Sequence, residues 1–284
     1  MNIRNAGALS RWDGLLPWII PAAIVAIWQL LGSAGVISSR TLPTPYEVVQ
    51  AGFKLTANGT LIEAIGVSSG RAFVGFAIGG GIALAFGLLN GLFPLAEKLT
   101  DSSIQMIRNI PHLAMIPLVI AWFGIDEEAK IFLVALGVSF PIYLNTLHGI
   151  RSVDPGLIEM GRAYGLRTWA LYRKIILPGA MPSILVGVRF ALGIMWLTLI
   201  VSETIAADSG IGYLAMDARE FFKLDIVVFS IIIYALLGKL SDMAAKWLER
   251  RWLKWHPHFA KPQKTTSPAH KEQQRATGAS NSAV

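Results

Sequence analysis

Long runs without Asp, Glu, Lys or Arg constrain this chain more than any other feature. Five of these runs cover residues 15–31, 72–96, 109–125, 131–150 and 226–238, and a sixth covers 175–202 with one interruption at Arg189. A helix needs about 20 apolar residues to cross a bilayer core. Only 15% of the residues are charged, against about a quarter in soluble domains. The sequence therefore predicts an all-α, polytopic membrane protein with about six transmembrane helices.

The distribution of lysine and arginine predicts which ends of these helices face the cytoplasm. If the N-terminus is inside, the inner segments hold 16 of the 25 lysines and arginines and the outer segments hold six, including Arg71 and Lys130. Cytoplasmic loops carry the excess of basic residues. We therefore expect both termini and the 151–182 segment in the cytoplasm, with 1–14 as a cytoplasmic N-terminus and 247–284 as a basic, disordered tail whose charge attracts anionic membrane lipid.

The N-terminal apolar run has two interpretations. Arg4 and Arg11 before the run, with small residues at 32–34 after it, are also typical of a cleaved signal peptide. We favour an uncleaved span. Residues 15–65 would then hold the first transmembrane helix and an outer amphipathic helix, which begins at the capping box that starts with Thr44 and runs over about 45–55. Residues 66–246 would form the core of the membrane protein.

Small residues at every fourth position mark the second apolar run. They are Gly75, Gly79, Ala83, Gly87 and Gly91. Such a ridge allows two helix backbones to approach closely. We expect it to pack within the subunit or against a second copy, with a substrate path as the alternative.

A polar, basic interruption at 154–182 separates the apolar runs. Asp154 and Pro155 are typical of a helix start, because aspartate caps the free N–H groups and proline lacks one. Gly165 should end this helix, Thr168 should cap a second, and Pro178 should stop it. The segment therefore predicts two short helices joined by a glycine turn.

The spacing of this segment resembles the cytoplasmic loop of ABC-importer permeases. Glu159, Gly165, Ile175, Leu177 and Pro178 reproduce the pattern E-A-A-x(3)-G-x(9)-I-x-L-P, with Met160 and Gly161 in place of the two alanines. In that family the loop forms the coupling helix that docks on the ATPase. The coupling residues implied by this resemblance are Glu159, Met160, Gly161, Arg162, Gly165, Ile175, Leu177 and Pro178.

The resemblance extends over roughly 42–253, and it is greatest to permeases of the nitrate, sulfonate and taurine branch, above all those for aliphatic sulfonates. It rests on stretches such as FPIYLNTLHGIRSVD and VSETIAADSGIGYLAMDAREF. It implies a type I importer core and a bacterial inner-membrane homodimer. The implied partners are two ABC ATPase subunits, which hold ATP and Mg, and a periplasmic sulfonate-binding protein. No cofactor bound by this chain, and no nucleic acid, is implied.

Ionisable residues inside apolar runs are candidates for a translocation path, because burying them unpaired is expensive. Arg108, Asn109 and His112 should lie on the inner half of the third span, Arg189 on the inner half of the fifth, and Glu203 near its outer end. The cations suit an anionic solute. The alternative is that arginines near helix ends extend to lipid headgroups.

The sequence contains no Walker motif, nucleophile elbow or histidine pair at a metal-binding spacing. We therefore expect a transport subunit, not an enzyme, driven by a partner's ATP hydrolysis. Three alternatives remain open at this point. The cargo is taurine, nitrate or another small anion; or the chain is an intramembrane enzyme using His112, Glu203 or Asp208; or it is a passive channel.

Overall fold

The computed structural model describes residues 16–39 and 41–253, which form helices and no strand. The elements are α1 Leu16–Ser33, α2 Pro45–Ala57, α3 Thr60–Leu92, α4 Pro94–Arg108, a 3-10 turn His112–Met115, α5 Ile116–Phe123, α6 Glu127–Arg151, α7 Pro155–Ala163, α8 Thr168–Leu171, a π-helical turn Tyr172–Ile176, α9 Leu177–Ala206, α10 Ile211–Glu220 and α11 Leu224–Trp252. The predicted all-α fold is confirmed. Within the described ranges, five helices are long and apolar enough to cross a membrane, or six if one bent pair counts as a span.

That bent pair corrects the predicted third span. The run 109–125 is not one helix, because α4 ends at Arg108 and the chain resumes at His112 after a bend of 79°. Pro111 explains the break, since it has no backbone N–H and it restricts Ile110 to extended conformations. The pair is either a broken span or a re-entrant loop.

The second span begins earlier than the apolar run indicates. α3 starts at Thr60 and includes Arg71, so the predicted division between 65 and 66 falls inside one continuous helix. The prediction that Arg71 belongs to an outer loop is wrong, because its side chain is buried at 3% exposure within the helix bundle. A charge inside an apolar bundle requires a partner, and the partners are described below.

The amphipathic helix predicted after the first span forms as α2. Thr44 caps α2 with its hydroxyl, which accepts the Glu47 N–H at 3.3 Å, and the Glu47 carboxylate accepts the Thr44 N–H at 2.7 Å. The backbone hydrogen bond from Thr44 lowers the pKa of Glu47. Val49 and Phe53 on this helix are exposed, at 54% and 73%.

The core forms where α3, α6 and α9 pack together around Val134, Val138, Ala191, Met195 and Leu199, all at zero exposure. The small-residue ridge of α3 lies against α6. A β-carbon on Gly75 would come within 2.7 Å of Val134, and one on Gly87 within 2.7 Å of Thr146. The ridge therefore serves packing within the subunit, because a larger side chain would separate the two helices.

Polar contacts fasten α4 to this core at the end where α3 finishes. The Asn90 side-chain amide donates to Thr100 Oγ1 at 2.7 Å and to the Tyr143 hydroxyl at 2.9 Å. That hydroxyl donates to Asp101 at 3.1 Å. Arg151, at the end of α6, forms an ion pair with Glu97 of α4.

The chain divides between Lys246 and Trp247 into two compact units. α11 continues to Trp252, so the prediction of a disordered tail from residue 247 is wrong for 247–252, which are helical. The predicted cytoplasmic N-terminus 1–14 and the remainder of the tail, 254–284, lie outside the described residues.

Candidate functional site

The first half of the 154–182 segment folds as the sequence predicts, into a short helix, α7, that ends at a glycine turn. Asp154 caps α7 by accepting the Gly156 N–H at 2.8 Å. After α7, Gly165 adopts a left-handed φ of +74°, a conformation that costs other residues roughly 1–2 kcal/mol. The glycine turn therefore fixes the angle at which the chain leaves α7.

The second half of the segment differs from the prediction. The residue at the N-cap position of α8 is Arg167, not Thr168, and Pro178 does not stop the helix. A π-helical turn over Tyr172–Ile176 precedes this proline and leads directly into α9. A wider turn relieves the clash between a proline ring and the carbonyl four residues before it. Residues 168–205 therefore form one continuous helical rod.

The inner side of α7 packs closely on that rod. Gly161 is buried, and a β-carbon there would lie 2.5 Å from Ile175 Cδ1 and 2.8 Å from Leu171 Cδ1. Ile158 and Ile175 pack on a buried cluster that includes Leu171 and Ile176. The glycine in place of the second alanine of the pattern thus lets the two helices approach closely.

The outer side of α7 is apolar but not packed. Leu157 and Met160 are 46% and 48% exposed, and Tyr164 is 82% exposed. These residues follow each other at intervals of three and four, so they form one stripe along the helix. Trp169 on α8 is also exposed, at 74%. Glu159 is exposed as well, but at 100° per residue it lies about 140° or more around the helix from Leu157 and Tyr164.

A buried ion network lies at the opposite end of α9, around Glu203. Its carboxylate accepts hydrogen bonds from Arg71 Nη1 at 2.8 Å, Ser68 Oγ at 2.8 Å, the Gly212 N–H at 2.9 Å and the Tyr234 hydroxyl at 2.7 Å. Glu203 is 1% exposed. Its four donors come from α3, α10 and α11, so this one side chain joins those helices to α9.

Arg71 extends the network to α6 and to the turn before α10. Its Nε donates to Glu127 Oε2 at 2.6 Å, and its guanidinium also donates to the carbonyl and hydroxyl oxygens of Ser209 at 2.6 and 2.8 Å. Lys130 lies 3.4 Å from Glu127. Two cations thus balance two carboxylates. We call this group the outer network, after the membrane side that the sequence predicts for it: Ser68, Arg71, Glu127, Lys130, Glu203, Ser209 and Tyr234.

The outer network corrects the prediction that Glu203 faces a translocation path, because every donor around its carboxylate belongs to the bundle. Sequence reasoning missed Ser68, Arg71, Glu127 and Tyr234. A signal for Arg71 is present in the sequence, since an acid within a span requires a buried cation. Arg71 immediately precedes the second apolar run, and a division of the chain by charge-free runs alone places it in the outer loop.

The structure does not bring the remaining candidates into one cluster by direct contacts. Arg108 and Asn109 are exposed at the end of α4, and His112 Nε2 lies 3.4 Å from Thr198 Oγ1 of α9. Arg189 is paired with Asp242 at 2.6 Å and lines a cavity of about 360 Å³ with Phe190 and Asp242. Of these, only Arg108 and Asn109 present unpaired polar groups at an open surface in the described part of the chain.

Comparison with known proteins gives matches over most of the chain. Residues 77–254 match the family described as binding-protein-dependent transport system inner membrane component. The aliphatic sulfonates transport permease protein SsuC of Escherichia coli K12 is 61% identical over 86% of this chain and 92% of its own length. SsuC of Bacillus subtilis 168 is 44% identical over 90% of this chain and 93% of its own length.

Among solved structures, a chain of an amino acid ABC transporter with histidines has a TM-score of 0.58. It is 20% identical in sequence, and the match covers 70% of this chain and 96% of that chain. At this identity the likeness concerns the fold alone. The helical architecture described above is therefore one that a transporter subunit adopts.

We predict that Glu203→Gln destabilises the protein. Glutamine keeps the shape of glutamate but removes the charge opposite Arg71 and presents an N–H to donors. Breaking a buried pair costs about 3–5 kcal/mol, and since Arg71 retains Glu127 we expect the lower end, which is a loss of roughly 5–10 °C in Tm. Thermal unfolding of the detergent-purified chain measures this shift.

Glu128→Gln is the matched control, because Glu128 is exposed and neighbours Glu127 on the same helix. Its Tm should equal that of the unmodified protein. Equal Tm values for the two variants would contradict a structural role for the outer network.

Proposed function

Because this chain belongs to the binding-protein-dependent transport system inner membrane component family, we propose that it translocates aliphatic sulfonates as the permease subunit of an ATP-driven importer. Its relatives are permease subunits of ABC transporters, and the chain is a transport subunit, not an enzyme. The sulfonate cargo is supported by the 61% identity to the E. coli permease. It fits the unpaired cation Arg108, since a sulfonate stays ionised at physiological pH.

The observation that carries the proposal is the apolar stripe on α7. Leu157, Met160 and Tyr164 are exposed on a helix that packs on the bundle through Ile158 and Gly161. An exposed apolar stripe is typical of a protein interface. An ATPase subunit docked on this stripe accounts for the exposure.

Movement of the docked loop reaches the membrane through covalent and packed connections. α8, the π-helical turn and α9 form one rod from residue 168 to 205, and Gly161 is packed directly on that rod. A displacement of α7 therefore has to displace α9. In the proposed cycle, ATP and Mg bind on two partner ATPase subunits, whose approach moves the two loops of a homodimer and opens the central cavity outward.

The proposed path lies between the two copies of the chain and uses cations, without proton transfer. Arg108, Asn109 and His112 lie at or beside the break between α4 and α5, where backbone groups are released from helical hydrogen bonding. Arg189 contributes less, because Asp242 neutralises it. A periplasmic sulfonate-binding protein would deliver the solute at the outer surface, with both termini of this chain in the cytoplasm.

Deletion of the gene tests the cargo. We expect loss of growth on an alkanesulfonate as sole sulfur source and normal growth on sulfate, because sulfate enters by another route. Growth on taurine and on nitrate is scored in parallel. Retained growth on the alkanesulfonate with loss of growth on taurine or nitrate would transfer the proposal to that sibling anion.

A substitution in the glycine turn tests whether the 154–182 segment couples ATP hydrolysis to transport. Gly165→Ala forces alanine into a left-handed conformation at the exit of α7 and should tilt the loop away from the ATPase. We expect substrate uptake and substrate-stimulated ATP hydrolysis in proteoliposomes to fall roughly tenfold, a usual size for coupling between sites. Glu159→Arg should have the same effect by reversing an exposed charge on α7.

Gly59→Ala is the control for this experiment. Gly59 has a similar φ of +82°, and at Gly59, as at Gly165, an added β-carbon would meet no atom within 4 Å. The strain is therefore the same, but it lies between α2 and α3, away from the loop. Equal uptake by Gly165→Ala and Gly59→Ala proteins would exclude a coupling role for the 154–182 segment.

A further inference from the structure

Two cavities adjoin the junction between the loop and α9. The first, of about 310 Å³, is almost entirely apolar and is lined by Leu88, Leu92, Ile176, Leu177, Trp169 and Arg173. The second, of about 280 Å³, includes the polar side chains of Arg162 and Thr168. Both share the walls formed by Leu92, Ile150, Tyr172 and Ile176. The pair therefore joins an apolar compartment to a cationic one.

The arginines of these cavities have free charges. Arg162 and Arg173 are exposed, and no acidic residue pairs with either in the described part of the chain. The aromatic side chains of Trp169 and Tyr172 border the same opening. Tryptophan and tyrosine with adjacent arginine are the residues that proteins place at the boundary between lipid tails and headgroups.

The cavities are separate from the stripe to which we assign the ATPase. Successive helix residues are rotated by 100°, so Arg162 lies on nearly the opposite side of α7 from Met160 and Tyr164. The ATPase would cover the stripe and leave the cavities open to the membrane. Their occupant must then combine an apolar chain with a negative group.

We propose that the two cavities bind one anionic phospholipid of the cytoplasmic leaflet. An acyl chain occupies the apolar compartment, and the phosphate contacts Arg162, Arg173 and the Thr168 hydroxyl. Basic pockets between helices at a cytoplasmic membrane face suit such headgroups. The choice of leaflet rests on the proposed function, which places this loop in the cytoplasm. The bound lipid would brace the loop against the rod through which it moves.

Native mass spectrometry tests the site on the permease purified with its ATPase from nanodiscs containing equal phosphatidylglycerol and phosphatidylcholine. We expect the unmodified protein to retain phosphatidylglycerol preferentially. Arg162→Gln and Arg173→Gln should each weaken retention roughly fivefold, the usual contribution of one basic residue at an anionic surface. Lys174→Gln is the matched control, since Lys174 is an exposed neighbouring cation that is not among the residues lining either cavity. It should retain lipid normally.

Three results would overturn the lipid site. The first is equal retention of both lipids by the unmodified protein. The second is normal lipid and ATPase retention by the Arg162→Gln/Arg173→Gln double variant. The third is loss of the ATPase from that variant with its lipid unchanged, a result that would assign the cavities to the protein partner. ATPase association is scored in the same samples. Absence of the ATPase from the unmodified protein, with phosphatidylglycerol retained, would refute the proposed coupling and leave the lipid site supported.

Discussion

The ion pair between Arg71 and Glu203 is the constraint on which the bundle depends. Two buried charges lose their hydration, and only close pairing with full hydrogen bonding recovers that cost. Here the carboxylate has four donors, and the guanidinium also binds Glu127 and Ser209. Because those groups come from α3, α6, α9, α10, α11 and the turn before α10, none of these elements can shift alone without exposing a charge to an apolar environment.

Charge-free runs are sufficient to predict the helices, because a membrane leaves few alternatives to a hydrogen-bonded helix. The runs do not predict where the helices begin and end. A polar residue that is paired inside the bundle interrupts a charge-free run without ending the helix, as Arg71 does in α3. The capping signals at Thr44 and Asp154 predict helix starts correctly because they act locally. The prediction that Pro178 ends a helix is wrong, because the π-helical turn before it relieves the clash between the proline ring and the preceding carbonyl. Pairing between residues 132 positions apart, as between Arg71 and Glu203, has no local signature.

The outer network thus holds the helices together at one end of α9. At the other end, α7 exposes the apolar stripe on which we propose that a partner protein docks. The outer network and the loop lie near opposite ends of α9, about 40 Å apart at 1.5 Å per residue. Between them α3, α6 and α9 are packed so closely that glycines are required at several contacts. Because Gly161 of α7 packs on the continuous helix 168–205, a displacement of α7 would also displace α9. The outer network would keep the far ends of the helices together. Glu203 thus holds the helices of the bundle together, and under the proposed function the solute would meet the cations near the break after α4.

A cross-linking measurement tests most directly whether the ATPase binds to the 154–182 segment. The chain contains no cysteine, so a cysteine introduced by Tyr164→Cys or Phe53→Cys would be its only thiol. Both positions are highly exposed, on α7 and on α2 respectively. The account predicts that Tyr164→Cys cross-links to the ATPase subunit and resists membrane-impermeant thiol reagents applied from outside, whereas Phe53→Cys reacts from outside and forms no such cross-link. The reverse pattern would contradict it.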